Sequence, residues 1–214
     1  MKISILCSDP MHPINDYLDR WIANNQIDHD IELVRHTASL RGGDLLFLVS
    51  CCEIVGADVR EEYRWALVIH ASPLPLGRGW SPHVWALIEG AETLTLSLIE
   101  AEDKVDTGRV WRQITFPVAR HALWQEINHE LFTKEIELID FAVKNCMTVE
   151  PEEQCQDREP TYYRRRTPED SELDPSASIA QQFNLMRVCD PQRYPAFVRM
   201  YGHKYLIKIE KADD

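Results

Sequence analysis

Apolar runs alternate along the first half of the chain with stretches whose apolar residues repeat at helical spacing. Lys2 to Cys7 reads as a first, central strand, and Tyr17 to Asn24 as a helix with Leu18, Trp21 and Ile22 on one side. Ile31 to Val34 is a second strand, and the Gly42-Gly43 turn leads into a third, Asp44 to Val49, with Ser50-Cys51-Cys52 at its carboxyl end. Trp65 to His70 is a short, continuously apolar run of the kind buried on both faces of a parallel sheet. Pro73, Pro75, Gly77 and Gly79 then exclude both helix and strand, so an irregular loop comes next. Ser81-Pro82 supplies an N-cap and first turn for a helix that runs to Glu89 and stops at Gly90. Thr93 to Glu100 alternates as a strand. Strand, loop, helix and strand in that order predict one βαβ unit with a right-handed crossover, which opens the loop after His70 and the loop after Glu100 on the same sheet edge.

Arg109 to Thr115 is a further strand. A long helix over Trp124 to Cys146 carries Ile127, Leu131, Ile136, Leu138, Phe141 and Ala142 on its core face, with His129 read as solvated or hydrogen-bonded. The predicted fold class is therefore α/β, a Rossmann-like, mostly parallel sheet with helices on both faces. Pro151 to Pro160 is charged and poor in apolar residues, which reads as a linker or exposed loop. Beyond it come Tyr162-Tyr163, the run Arg164-Arg165-Arg166, a helix over Ser178 to Arg187, and a hairpin, Phe197 to Met200 with Lys204 to Ile209, turning at Gly202-His203. This divides the chain into a main α/β domain, residues 1–150, and a linker with a small helix and β-hairpin appendage, residues 151–214.

Composition narrows the choice of partner. A net charge of −12 disfavours a nucleic-acid partner, whose phosphates are held by lysine and arginine. No apolar run reaches the length of a signal peptide core or a membrane span, so no membrane association is expected. The six cysteines lack metal-ligand spacing, so reduced thiols in the cytoplasm and no metal site are expected. No G-x-G-x-x-G follows the first strand, and a dinucleotide cofactor is not supported.

Two residues stand out chemically. His70 ends an apolar strand, where α/β sheets present their ligand-contacting residues, and Asp106 lies in the polar turn Asp103-Lys-Val-Asp-Thr-Gly108. Each alone is commonplace. Together, with Ser72, Leu74, Pro75, Arg78 and Gly79 between them and Thr107-Gly108 after, they resemble the catalytic core of the folate-dependent formyltransferases, whose pattern is N-x-H-x-S-L-L-P-x-x-R-G followed by a helix and D-T-G. The family's asparagine is replaced here by Val68.

The resemblance implies His70 and Asp106 as catalytic residues and 10-formyltetrahydrofolate as co-substrate. Its pterin would lie between the loop holding Ser50, Cys51 and Cys52 and the loop holding Glu102, Asp103, Lys104 and Val105. The segment R-R-R-T-P-E-D, with F-N-L-M-R and Y-P-A-F after it, resembles the part that sugar-nucleotide N-formyltransferases carry behind their core. On that basis Ser72, Pro73, Leu74, Arg78, Gly79, Asn184, Arg187, Arg193, Tyr194 and Arg199 are candidate substrate-binding residues. The chain beyond Asp174 is too short for the independent RNA-binding barrel of methionyl-tRNA formyltransferases. The expected activity is formyl transfer to the amine of a UDP- or dTDP-linked 4-amino sugar, for a surface or flagellar glycan, by a homodimer. The alternatives are a catalytically weak or inactive folate- or nucleotide-sugar-binding relative, a formyl-folate hydrolase, and a methionyl-tRNA formyltransferase-like enzyme.

Overall fold

The computed structural model describes residues 1–212. The apolar runs form Lys2–Leu6 (β1), Asp30–Val34 (β2), Gly43–Leu48 (β3) and Tyr63–His70 (β4), all parallel, connected in part by Asn15–Asn25 (α1) and Ala57–Arg60 (α2). After the two-residue strand Arg78–Gly79 (β5), the chain forms Pro82–Ile88 (α3), Thr93–Glu100 (β6), Val110–Pro117 (β7) and the long Trp124–Asn145 (α4). The main sheet has the order β2-β1-β3-β4-β6-β7. Alternate residues on each strand separate two apolar layers. Ile3, Ile5, Leu45, Phe47 and Leu67 face α1 and α4 with Leu18, Trp21, Leu131 and Phe132, while Leu6, Leu46 and Leu48 face Leu40, Val55 and Tyr63 on the other side. The predicted fold class holds.

The connection from β4 to β6 differs from the expected βαβ crossover. β6 runs antiparallel to β4, with Leu67 opposite Glu100 and His70 opposite Ser97. The connection between them, residues 71–92, runs through the proline-rich loop and α3 before β6 enters the sheet beside β4 in the opposite direction. β7 pairs antiparallel with β6, and the 101–109 turn between them starts midway along β4, where Ala101 N–H donates to Ala66 O, and bends back toward His70. His70 and Asp106 become neighbours through this hairpin turn. Ser81 precedes α3 as expected, but its side chain makes no capping hydrogen bond and its φ is +47°.

The later elements are Tyr162–Tyr163 (β8), Glu172–Leu173 (β9), Ile179–Arg187 (α5), Ala196–Met200 (β10) and His203–Ile207 (β11). Ser178 caps α5 by accepting from Gln181 N–H. The hairpin forms where predicted, and β9 adds to it in parallel, over a small core of Leu173, Met186, Cys189, Ala196 and Val198. β8 pairs with β5, so the segment after Pro151 returns to the loop that follows His70. No helix among the described residues is long and apolar enough to cross a membrane.

Glu135, on the core face of α4, is 7% exposed, and its Oε2 has no hydrogen-bond partner. Burial raises its pKa from 4.5 to about 8. The folded protein thus holds this proton more tightly than the unfolded chain does, so stability is greatest below about pH 4.5 for this group and declines as pH rises toward 8. Glu135→Gln should remove that decline: urea midpoints measured at pH 5 and pH 8 should differ less than in the parent protein, with the variant more stable at pH 8.

Candidate active site

His70, the last residue of β4, is 7% exposed, as is Asp106. The His70 Nδ1 lies 3.4 Å from Asp106 Oδ1, and its Nε2 lies 2.9 Å from the carbonyl oxygen of Gly77. Both ring nitrogens therefore face oxygen acceptors. A ring nitrogen that carries a proton can donate to the oxygen it faces. The second carboxylate oxygen accepts from Gly79 N–H at 2.8 Å, which joins the turn after β6 to the proline-rich loop after β4.

Backbone geometry makes this junction possible. Asp106 has φ +60°, a left-handed conformation that short polar side chains tolerate better than most. A Cβ at position 108 would fall 1.9 Å from Glu100 O, and one at position 79 would fall 2.4 Å from Tyr163 O with φ at +96°. Glycine is required at both, for close approach at 108 and for approach and φ together at 79.

Val68 lies two residues before His70 on the same strand and packs with Leu6, Leu46, Leu48 and Cys51. It offers no donor. Ser72 is 3% exposed with an unpartnered Oγ, and it sits against Gly77, whose carbonyl faces His70. Its own carbonyl accepts from Ser97 Oγ. Pro73 and Leu74 continue the same loop, with Leu74 buried.

The two loops expected to hold the pterin come together. Arg60 donates to Val55 O on one and to Asp103 on the other, and Cys51, Val68 and Ala101 pack on one apolar cluster between them. Ile54 and Val105 remain exposed on the two loops. Ser50, Cys52, Glu102 and Lys104 complete those loops around these contacts.

The tail residues are arranged differently from the expectation. Arg187 is 2% exposed, donating to Ala119 O and to Asn184 Oδ1, and burial lowers its pKa. It joins α5 to the chain after β7 and cannot meet a soluble substrate. Arg193 pairs with Asp9, and Arg199 pairs with Glu172 beside the hairpin, so these arginines form no free cluster; Tyr194 stays half exposed under Arg193. The triple-arginine run instead packs on α3 and the loop before it. Arg164 lies over Trp85, Arg165 over Trp80 at 4.8 Å from the ring centroid, and Arg164 also pairs with Asp170. Arg165 has no ion-pair partner among the described residues.

Two more histidines stand near the dyad. Burial lowers His83 to about 4, with His12, His70 and Arg166 adding to the effect, and burial followed by Arg193 likewise lowers His12 to about 4. Both are neutral at pH 7. The six cysteines are free, and burial pushes Cys7 up to about 11, which makes it unreactive. Among the described residues no group of three His, Cys, Asp or Glu could hold a metal.

The segment expected to be a linker contributes directly. Glu152 and Val110 exchange backbone hydrogen bonds, Gln154 donates to Asp106 O and Gly108 O, and Thr161 Oγ1 accepts from Gly77 N–H. Its charged, apolar-poor composition gave no hint of this, because the contacts are made by backbone, one amide and one hydroxyl.

Residues 7–143 match the sequence model of the formyl transferase family. The chain belongs to that family. It is 32% identical over 94 residues to a methionyl-tRNA formyltransferase of Mycoplasma pneumoniae, covering 44% of this chain and 30% of that one. The chain thus spans well under two thirds of that relative. Among solved structures it resembles a methionyl-tRNA formyltransferase from Clostridium thermocellum (TM-score 0.81, 18% identity, 100% of this chain and 94% of that one). It also resembles HypX from Aquifex aeolicus in complex with tetrahydrofolic acid (TM-score 0.80, 22% identity, 98% and 37%). A sugar N-formyltransferase from Shewanella is similar too (TM-score 0.75, 13% identity, 100% and 99%). At these identities the structural likeness establishes the formyltransferase fold.

The clash at position 108 gives a direct check. Gly108→Ala should force the turn away from Glu100, costing about 1–3 kcal/mol or more in chemical denaturation and displacing Asp106. A denaturation midpoint equal to that of the parent would show that the turn relaxes freely.

Proposed function

We propose that this formyl transferase moves a formyl group from 10-formyltetrahydrofolate to the amine of a nucleotide-linked amino sugar. The observation that carries the reading is the buried His70–Asp106 contact at the carboxyl end of β4, closed by Gly77 and Gly79. The co-substrate supplies the formyl carbon. The residues around the proposed pterin site fit a flat, partly apolar ring, with Ile54 and Val105 exposed on facing loops and an apolar cluster beneath.

Each residue has a definite task in this reading. Formation of the new C–N bond puts negative charge on the formyl oxygen until the old C–N bond breaks, and a hydrogen-bond donor facing that oxygen opposes the charge. One amine proton must reach the departing nitrogen, and His70 accepts or returns it while Asp106 stabilises the imidazolium. Loss of an oxyanion donor typically costs on the order of a hundredfold in rate, so Val68 in place of asparagine leaves a gap. The hydroxyl of Ser72, buried on the loop that follows His70, is one donor without a partner there.

For the acceptor, the net charge of −12 disfavours tRNA. Arg165 over Trp80 offers one uncommitted guanidinium and one exposed indole next to Gly79, suited to a diphosphate and a base. Arg187 is withdrawn from that role by its burial. A homodimer in the cytoplasm remains the expected setting, as does a catalytic unit over residues 1–150 with an appendage over 151–214.

His70→Ala and Asp106→Ala should each abolish formyl transfer with circular dichroism unchanged; a near-parental rate in either would remove the dyad from the chemistry. Val68→Asn should raise kcat if the oxyanion is under-supplied. A rate unchanged by Val68→Asn but lost on Ser72→Ala would instead assign the missing donor to Ser72.

A further inference from the structure

We infer that Gln154 is a positioning residue for the reaction, and that the segment from Glu152 to Tyr163 is a strap that sets the contact between His70 and Asp106. The inference rests on the reading of that dyad as the reacting centre. The strap lies beyond residue 143, where the family match ends.

The carboxamide of Gln154 is fully used. Its Nε2 donates to Asp106 O and to Gly108 O, both at 2.9 Å, and its Oε1 accepts from Arg78 Nη2 at 2.7 Å. Asp106 opens the stretch that those two carbonyls bracket, in a left-handed conformation that needs outside support because a non-glycine residue at φ +60° is intrinsically disfavoured. Arg78, itself 7% exposed, also meets Tyr162 through its Nη1 at 3.2 Å. One amide therefore fixes the turn that aims Asp106 and the guanidinium of the loop that supplies Gly77 and Gly79.

The rest of the strap repeats the pattern on both loops. On the Asp106 side, Glu152 and Val110 pair through N–H to O at 2.7 and 2.9 Å. On the other, Arg78 N–H donates to Thr161 O, Trp80 N–H to Tyr163 O, and Gly77 N–H to Thr161 Oγ1 at 2.8 Å. The gripped loop is the one that contacts the dyad, since Gly77 O faces His70 Nε2 and Gly79 N–H binds Asp106 Oδ2. The strap thus holds the two loops from outside while the dyad joins them from inside. The 3.4 Å separation of His70 and Asp106 is the distance such a grip controls.

Two variants separate this role from simple stability. Gln154→Met keeps the volume and removes all three hydrogen bonds, while Gln154→Glu keeps the acceptor for Arg78 and removes both donors to the turn. The first readout needs no substrate: the ¹⁵N resonances of the two His70 ring nitrogens in the full-length protein. The inference expects the Nδ1 resonance to move in both variants, with the fold retained by circular dichroism. With 10-formyltetrahydrofolate and an amine that the parent accepts, kcat should fall roughly ten- to a hundredfold in both while KM for the folate stays close to parental. Unmoved His70 resonances, or a Gln154→Glu protein that behaves like the parent, would overturn it. A shifted Nδ1 resonance in a protein whose parent shows no formyl transfer would leave the positioning role standing and remove the proposed function instead.

Discussion

The structure depends on one buried pair of ionisable groups. An imidazole and a carboxylate that are each more than nine-tenths buried are unfavourable apart, because each loses its hydration. Together, with Gly77 O on one side and Gly79 N–H on the other, nearly every polar atom of the pair finds a partner. This requirement accounts for the surrounding backbone: a strand that ends at His70, a loop whose glycines allow backbone to approach within hydrogen-bond range, and a turn that holds Asp106 at positive φ.

The sheet serves that junction. Parallel strands β1, β3 and β4 deliver Cys7, Val49 and His70 to one edge, and the antiparallel hairpin of β6 and β7 returns Asp106 to it. The proposed formyl transfer would need little beyond charge placement and exclusion of water from the reacting carbon. Val68 packs in the apolar layer beneath the site and offers no hydrogen-bond donor to it.

Much of this was legible in residue order. The strands and long helices follow from apolar periodicity, and Thr93–Glu100 begins and ends where its alternation does. Gly79 and Gly108 are marked because the backbone there tolerates little else, and His70 and Asp106 by residue type and spacing. The direction of β6 was not legible from pattern alone, because a connection as long as residues 71–92 permits either direction. Arginine was the least informative residue: Arg187, Arg193 and Arg199 look alike in sequence, yet the first is sealed between α5 and Ala119 and the others are spent on Asp9 and Glu172. The strap escaped notice because backbone hydrogen bonds and single polar side chains leave no compositional trace.

The most direct measurement tracks 10-formyltetrahydrofolate in the presence of the purified protein and a panel of amines, UDP- and dTDP-linked 4-amino sugars among them, with formyl product and tetrahydrofolate counted separately. The account predicts that one amino sugar nucleotide yields N-formyl product in equal amount to tetrahydrofolate, and that little folate is consumed without it. Release of formate at the same rate with or without any amine would contradict it, since water would then be the true acceptor; no consumption with any amine would contradict it as well.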